Sequence, residues 1–200
     1  PHRNGEFSKR NWGTRLHSLC SYQGKLKPAL AYHLIQTFSE KNQTVLDPFS
    51  GSGTIPLEAS INQRKAIGYD ISDMSVALTT AKISKCSYQG CQRFINDLES
   101  YISKKAISEK AYKDADEVSF NKKIKDYFEE KTFEEILKAR DYFEKSKNLK
   151  DPNWCFVFSS MLHILHGNRP YALSRRSHPL TPYAPSGDFV RKPLIKHLGK

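Results

Sequence analysis

Two acids that flank a glycine-rich stretch are the residues best suited to chemistry in this chain. Asp47 opens the sequence DPFSGSGT, and Asp70 follows about twenty residues later. Gly51 and Gly53 would let the backbone pass close to a ligand, because no Cβ stands in the way. An acid at the end of a strand can accept hydrogen bonds from two ribose hydroxyls. The spacing predicts a site for an adenosine nucleoside or nucleotide; the alternative is a turn in which glycine serves only packing.

Alternating strand and helix patterns would position these acids. Two short apolar runs predict strands, the first of them buried: TVLD at 44–47 and AIGYD at 66–70. Three helices are expected around them, with boundaries set by proline, serine and aspartate: PALAYHLIQTFSE from Pro28, IPLEASINQ with Pro56 near its start, and a helix capped by Ser72 or Asp73 that runs to about Ser84. This order predicts an α/β fold with a parallel sheet.

DPFSGSGT followed by GYDIS resembles the glycine-rich motif and acidic strand end of S-adenosylmethionine-dependent DNA amino-methyltransferases, which modify adenine N6 or cytosine N4. The resemblance implies a Rossmann-like methyltransferase fold, a parallel sheet flanked by helices, with S-adenosyl-L-methionine as cofactor. It implies that Asp70 and Ile71 hold the ribose and adenine. The methionine side would be formed by the turn residues Asp47, Pro48, Phe49, Ser50, Gly51, Gly53 and Thr54.

The resemblance extends in both directions from the turn. HSLCSYQGKLKP at 17–28 is similar to the segment that closes over the methionine in such enzymes, and it adds four site residues, Tyr22, Gly24, Lys25 and Pro28. Together with IPLEASINQRKAIGYDISDMSVALTTAKI, the similarity covers residues 11–85. Near the end, RPYALSRRSHPLTPYAPSGDF also resembles a connecting segment of bacterial DNA modification methylases.

The catalytic motif of that family is an acidic, serine or asparagine residue followed by two prolines and an aromatic. No Pro-Pro pair occurs in this sequence. DPNW at 151–154 comes nearest, but a helix start explains Asp151 and Pro152 more simply. We therefore assign no catalytic residue and expect the motif on a downstream segment or a separate polypeptide. Two alternatives stay open: an RNA guanine-N2 methyltransferase, which GSGTIPLEA also resembles, and a non-catalytic subunit or fragment that binds cofactor and DNA.

Positive charge is concentrated at the two ends of the chain. The net charge of +11 divides into +5 over residues 1–27, −1 over 28–102, +1 over 103–151 and +6 over 152–200. Basic flanks suit a polyanion, since lysine and arginine displace counterions from phosphates. Charge alone favours nucleic acid only modestly; the resemblance implies DNA as the partner, with Arg175 and Arg176 as its first contacts. The alternatives are solubility and pairing with Asp188 or the acidic helices.

The organisation expected is a single, incomplete methyltransferase domain over residues 1–200. It comprises a cofactor-binding β-α-β-α unit at 11–85, a helical insertion at about 92–150, and a helix with a proline-rich basic segment at 151–200. In the insertion, Thr132 and Glu135 predict a capping box, and an apolar stripe follows, made of Phe133, Ile136, Leu137 and Phe143. The last helix is expected to have Asp151 as its cap and Pro152 at its first position, and to reach about His166.

The remaining signals exclude other classes of protein. No apolar run is long enough for a membrane span, and the beginning of the sequence lacks a secretory pattern. The four cysteines stand at irregular positions, so they predict no disulfide framework. Cys86 and Cys91 lack the spacing and the second ligand pair of a metal site. We expect no metal and a reducing, cytoplasmic location.

Overall fold

The computed structural model describes residues 4–9, 12–178, 181 and 183–199, and the chain forms two compact units. One unit comprises residues 1–86 and 149–159, and the other comprises residues 87–148 and 160–200. The strands are β1 (Thr44–Asp47) and β2 (Lys65–Gly68). The helices are α1 (Pro28–Phe38), α2 (Thr54–Ile61), α3 (Asp73–Ile83), α4 (Tyr88–Lys104), α5 (Glu109–Asp116), α6 (Glu130–Lys145), α7 (Pro152–Ile164) and α8 (Leu194–Leu198).

The first unit is built around a parallel pair of strands joined by a helix. β1 and β2 pair from Thr44 opposite Lys65 to Asp47 opposite Gly68. Helix α2 contacts α1, α3 and both strands. The first unit buries apolar side chains of all three helices and of the segment at 149–159, namely Ala29, Ala31, Ile35, Leu57, Ala59, Ala77, Leu78, Ala81, Trp154, Cys155 and Val157. The predicted parallel α/β arrangement is confirmed for these two strands.

The prediction that β1 is buried was wrong. Leu46 and Ile67 lie opposite each other in the ladder, and they are 56% and 42% exposed. Both strands alternate between exposed and half-buried residues. Since successive side chains point to opposite faces, one face of the sheet is partly covered and the other is open within the part of the chain that the structure describes. A strand of a parallel sheet reads as apolar on both faces only where both faces are covered.

The helices of the first unit begin and end within a few residues of the predicted positions. Helix α2 begins at Thr54, just after Gly53, and ends at Ile61. Helix α3 has Ser72 at its N-cap, as expected, although the Ser72 side chain makes no capping hydrogen bond. Strand β2 ends two residues before Asp70. The acid therefore stands on the loop between β2 and α3, rather than inside the strand.

The second unit is helical, as the composition of residues 92–150 predicts. Helix α4 begins at Tyr88, where the Ser87 hydroxyl accepts a hydrogen bond from the Gly90 N–H at 3.0 Å. Helix α6 contacts both α4 and α8. The buried apolar residues of this unit are Leu98, Ile102, Ala115, Tyr127, Phe128, Phe133, Leu137, Ala139, Tyr142, Phe143, Met161, Ile164, Ala172, Leu173 and Leu194. Of the predicted stripe, Ile136 alone is only half-buried.

The predicted capping box at Thr132 and Glu135 was wrong. Helix α6 begins at Glu130, and its cap is the Glu129 carboxylate, which accepts hydrogen bonds from the Thr132 N–H at 2.9 Å and the Thr132 hydroxyl at 3.0 Å. Thr132 therefore lies in the first turn. Glu135 instead accepts a hydrogen bond from the Leu194 N–H at 2.7 Å, at the beginning of α8.

Helix α7 begins as predicted, and Asp151 is its cap. The Asp151 carboxylate accepts a hydrogen bond from the Asn153 N–H at 2.8 Å. The helix ends at Ile164, two residues before the expected end. Helix α8 was not predicted, because the prolines around it indicated loop. Among the residues that the structure describes, no helix combines the length and the apolar character needed to cross a membrane.

Candidate functional site

The turn after β1 extends the pairing of the two strands toward the candidate site. The Tyr69 N–H donates to the Asp47 carbonyl at 2.9 Å, and the Tyr69 carbonyl accepts from the Ser50 N–H at 2.9 Å. The Gly53 N–H then donates to the Ser50 carbonyl at 2.7 Å and closes the turn before α2. The carboxyl ends of both strands therefore meet at the glycine-rich turn, where ligands bind in open α/β sheets.

Asp70 is bonded directly to this turn. One of its carboxylate oxygens accepts the Gly51 N–H at 2.8 Å, and the other accepts the Ser72 N–H at 2.9 Å. The hydrogen bonds from Ser72 and then Gly51 hold the pKa of Asp70 below its ordinary value. The carboxylate is therefore ionised at neutral pH, and its oxygens are hydrogen-bond acceptors that suit ligand hydroxyls.

Gly53 is the point at which the backbone passes closest to helix α3. Its φ of +73° lies in the left-handed region, which side chains rarely adopt. A Cβ on this residue would lie 2.8 Å from Thr79 Oγ1 and 3.0 Å from Thr79 Cα. Glycine is therefore required at this position both by its backbone conformation and by its close packing against α3.

A buried lysine on helix α3 contacts the backbone of the turn. The Lys82 ammonium, on α3, donates a hydrogen bond to the Ser52 carbonyl. Burial, together with the charge of Lys25, lowers the pKa of Lys82 to about 8. Thr79, one helical turn earlier, donates its hydroxyl to Ser50 Oγ at 3.3 Å. Helix α3 thus holds the turn by side-chain contacts with two of its residues, Ser50 and Ser52.

The predicted upstream residues divide into two groups. Tyr22 reaches the site: its hydroxyl lies 3.1 Å from Ser75 Oγ, and a Cβ on Gly51 would lie 3.3 Å from its ring. Pro28 is buried at the beginning of α1, while Gly24 is exposed in the preceding loop. The Lys25 ammonium donates to the carbonyl of His17 at 2.7 Å, so it supports this segment from within.

The predicted turn residues likewise divide by exposure. Asp47 accepts the Phe49 N–H at 3.1 Å, whereas the Phe49 ring is 87% exposed. Ile71 is fully exposed beside Asp70, and Pro48 is exposed too. Ser50 and Thr54 are buried. The structure therefore brings the predicted turn residues together and leaves the side chains of Phe49 and Ile71 open to a ligand. The roles of all these residues as cofactor ligands stay predictions.

The predicted nucleic-acid contacts lie in the second unit and differ in their surroundings. The Arg175 guanidinium donates to the Gly187 carbonyl at 2.7 Å and the Asp126 carbonyl at 3.2 Å, and it lies 4.3 Å from the centre of the Phe189 ring. Arg176 is exposed. Both line a cavity of about 780 Å³, together with further charged residues, namely Glu129, Arg169, Asp188 and Lys192. This cavity is net positive, which suits an anion.

Three of these supporting residues were not predicted, although the sequence carries a signal for them. Ser75, Thr79 and Lys82 are polar, yet they share a helix face with Leu78, at the spacing i, i+3, i+4, i+7 typical of a buried stripe. All four are buried. Polar residues at apolar positions of a helix next to a glycine-rich turn indicate contacts with that turn. Among the described residues, no group of three metal-binding side chains occurs.

The same segment matches known DNA-modifying enzymes. Residues 3–81 match the family model described as DNA methylase. The chain is 37% identical over 79 residues to the Type II methyltransferase M.MthZI of Methanothermobacter thermautotrophicus, covering 38% of this chain and 22% of that protein. It is 25% identical over 92 residues to the Type II methyltransferase M.MjaII of Methanocaldococcus jannaschii, covering 46% of this chain and 17% of that protein. No solved structure is a significant match.

The predicted resemblance to DNA amino-methyltransferases is thereby confirmed for this part of the chain. The matched residues contain the upstream segment, the glycine-rich turn, Asp70 and most of α3. The alignments span about a fifth of the length of each relative.

Proposed function

We propose that this chain supplies the S-adenosyl-L-methionine site of a DNA methyltransferase that modifies an exocyclic amino group, adenine N6 or cytosine N4. The observation that carries the proposal is the hydrogen bond between Asp70 and Gly51, which joins the strand-end acid to the glycine-rich turn. It lies inside the segment that matches DNA methylases. The RNA guanine-N2 alternative is disfavoured, because both relatives are Type II methyltransferases.

The proposed cofactor position follows from the contacts of the turn. Asp70 accepts from the ribose hydroxyls, and the exposed side chain of Ile71 packs on the adenine. The methionine end lies against the turn from Asp47 to Thr54, with Tyr22 closing over Gly51. The close packing of Gly53 against Thr79 supports this arrangement, since it fixes the shape of the turn. The parallel strands with a helical crossover support a Rossmann-like fold, in which cofactors bind at this end of the sheet.

The proposed reaction depends more on the relative orientation of cofactor and target base than on acid or base groups. When bound, S-adenosylmethionine supplies an electrophilic methyl group to the exocyclic nitrogen of the base. The residues of this chain hold the cofactor in one position, so that methyl and nitrogen meet in line. The target base must leave the duplex to reach the site. We assign no catalytic residue here, because the Asp151 carboxylate caps α7; a separate or downstream segment is proposed to hold the target amine.

DNA is the proposed partner, and the second unit is the proposed contact. Residues 152–200 carry a net charge of +6. Arg176, exposed at the rim of the basic cavity, is the better placed of the two arginines for a phosphate. Arg175 uses part of its guanidinium on backbone carbonyls. Phosphate contacts of this kind position a protein without reading sequence.

Competition binding tests the class of ligand. Tritiated S-adenosylmethionine should be retained with the chain on a filter, and S-adenosylhomocysteine should displace it, because both share the nucleoside and amino acid ends. NAD should displace it poorly, since the turn is proposed to take an amino acid end rather than a pyrophosphate. Absence of retention by folded protein, or equal displacement by NAD, would contradict the proposed function.

A further inference from the structure

A buried side-chain hydrogen bond joins the segment before α1 to helix α2. His17 Nε2 lies 2.6 Å from Glu58 Oε1, and the two side chains are 3% and 4% exposed. The second oxygen of Glu58 accepts the Asn62 Nδ2–H at 3.2 Å. Buried polar groups are costly unless they are hydrogen-bonded. The pair therefore fixes where the upstream segment can lie, although the two residues are far apart in sequence.

The rest of the segment before α1 is held by contacts with His17. His17 belongs to the short 3-10 turn Arg15–Ser18. The Lys25 ammonium donates to the His17 carbonyl at 2.7 Å and draws the following loop back onto the turn. Tyr22 lies within that loop, between the two ends of the contact. Its position over Gly51 is thus set by a loop whose ends are both fixed.

The His17–Glu58 pair also lies close to the candidate site along α2. Glu58 lies one turn along α2 from Thr54, the first residue of that helix. Any displacement of His17 from Glu58 would carry the loop, and with it the Tyr22 ring, away from Gly51 and away from the hydroxyl of Ser75.

We propose that the His17–Glu58 pair is a latch that positions Tyr22 over the glycine-rich turn and thereby sets the affinity for the cofactor. The proposal rests on the proposed function, because it concerns the same site. His17 and Glu58 are positioning residues: they act through the segment that they hold and touch no bound molecule.

Hydrogen exchange and calorimetry of the whole chain test the latch. In His17→Ala, amides of residues 12–28 should exchange faster, while those of β1, β2 and α3 keep their protection. Affinity for S-adenosylhomocysteine should fall about tenfold or more, since the closing segment is no longer preorganised. Arg15→Ala, an exposed change in the same 3-10 turn, should leave affinity within about twofold.

A double variant separates positioning from stability. His17→Ala alone leaves the buried Glu58 side chain without its histidine partner, which can unfold the protein. His17→Ala combined with Glu58→Ala removes both buried polar side chains, so its melting temperature should recover toward that of the wild type. Under the latch, exchange at 12–28 stays fast and affinity stays low in this double variant. Recovery of affinity together with stability, or unchanged exchange in His17→Ala, would overturn the latch.

The two readouts also distinguish the latch from the proposed function. The exchange measurement needs no cofactor, so it decides the positioning of residues 12–28 by itself. If the wild type binds no S-adenosylhomocysteine, the proposed function fails, and slow exchange in His17→Ala would then overturn the latch separately.

Discussion

The Asp70 carboxylate accepts a hydrogen bond from the Gly51 N–H at 2.8 Å. This bond joins the loop after β2 to the turn after β1, at the carboxyl ends of the two strands. The acid therefore has two roles in the proposed site, since it shapes the turn and offers lone pairs to the ribose.

Gly53→Ala should destabilise the protein more than Gly24→Ala. Both glycines have a φ of +73°, but a Cβ on Gly24 would meet nothing within 4 Å, whereas one on Gly53 would meet Thr79. The conformational cost of about 1–2 kcal/mol is common to both variants, so the difference between them measures the steric conflict. Urea unfolding of the two variants checks this, and equal losses would show that α3 gives way to the Cβ.

Lys82→Met should remove a pH dependence of stability. The Lys82 pKa is lowered to about 8 in the folded protein, against 10.5 for the ordinary side chain. Between these values the unfolded chain binds more protons, so the wild type gains stability as the pH rises through this window. From pH 7 to pH 9, the free energy of unfolding of the wild type should rise by on the order of 1 kcal/mol relative to that of Lys82→Met. The free energy of unfolding of both proteins is measured from pH 7 to 10. If it changes with pH in the same way in the wild type and in Lys82→Met, the burial of a charged lysine is contradicted.

The core of the site could be predicted from sequence because it depends on local rules. The turn after TVLD and the acid before α3 follow from strand, glycine and cap patterns within about 30 residues. The contacts from His17 to Glu58 and from Lys82 to Ser52 could not be predicted in the same way, since they join residues distant in sequence, and their pairing depends on how the helices pack.

The errors have equally local causes. Thr132 and Glu135 satisfy the pattern of a capping box, but the Glu129 carboxylate accepts the Thr132 N–H that Glu135 would have accepted, and the helix begins earlier. The apolar character of TVLD indicates burial, yet Leu46 is exposed, because apolar type alone does not reveal which face a neighbouring element covers.

Arg176→Ala and Arg175→Ala should differ in their effects on DNA binding. Losing one phosphate contact at Arg176 should weaken binding to all duplexes alike and flatten the salt dependence by about one unit of slope. Arg175→Ala should instead lower the stability of the second unit, because its contacts with Gly187, Asp126 and Phe189 are lost. Fluorescence anisotropy at several salt concentrations, beside thermal unfolding, checks both. An unchanged slope in Arg176→Ala would show that its charge meets no phosphate.

Asp151→Ala should affect stability and not methyl transfer. Removal of the N-cap of α7 should cost about 1 kcal/mol, and Asp151→Ser, which keeps a capping oxygen, should recover most of it. We expect no incorporation of tritiated methyl groups into mixed-sequence DNA by the chain alone. Robust incorporation that Asp151→Ala abolishes would instead assign a catalytic role to the DPNW segment.

Calorimetric titration with S-adenosylhomocysteine is the most direct test of the cofactor site. The wild type should bind, and Asp70→Ala should bind more weakly by roughly 1.5 to 3 kcal/mol, because a charged partner of the ribose is lost. Glu40→Ala removes the same charge from an exposed loop and should bind like the wild type. Equal affinities for the wild type and Asp70→Ala, or no binding by well-folded wild type, would contradict a cofactor site at the glycine-rich turn.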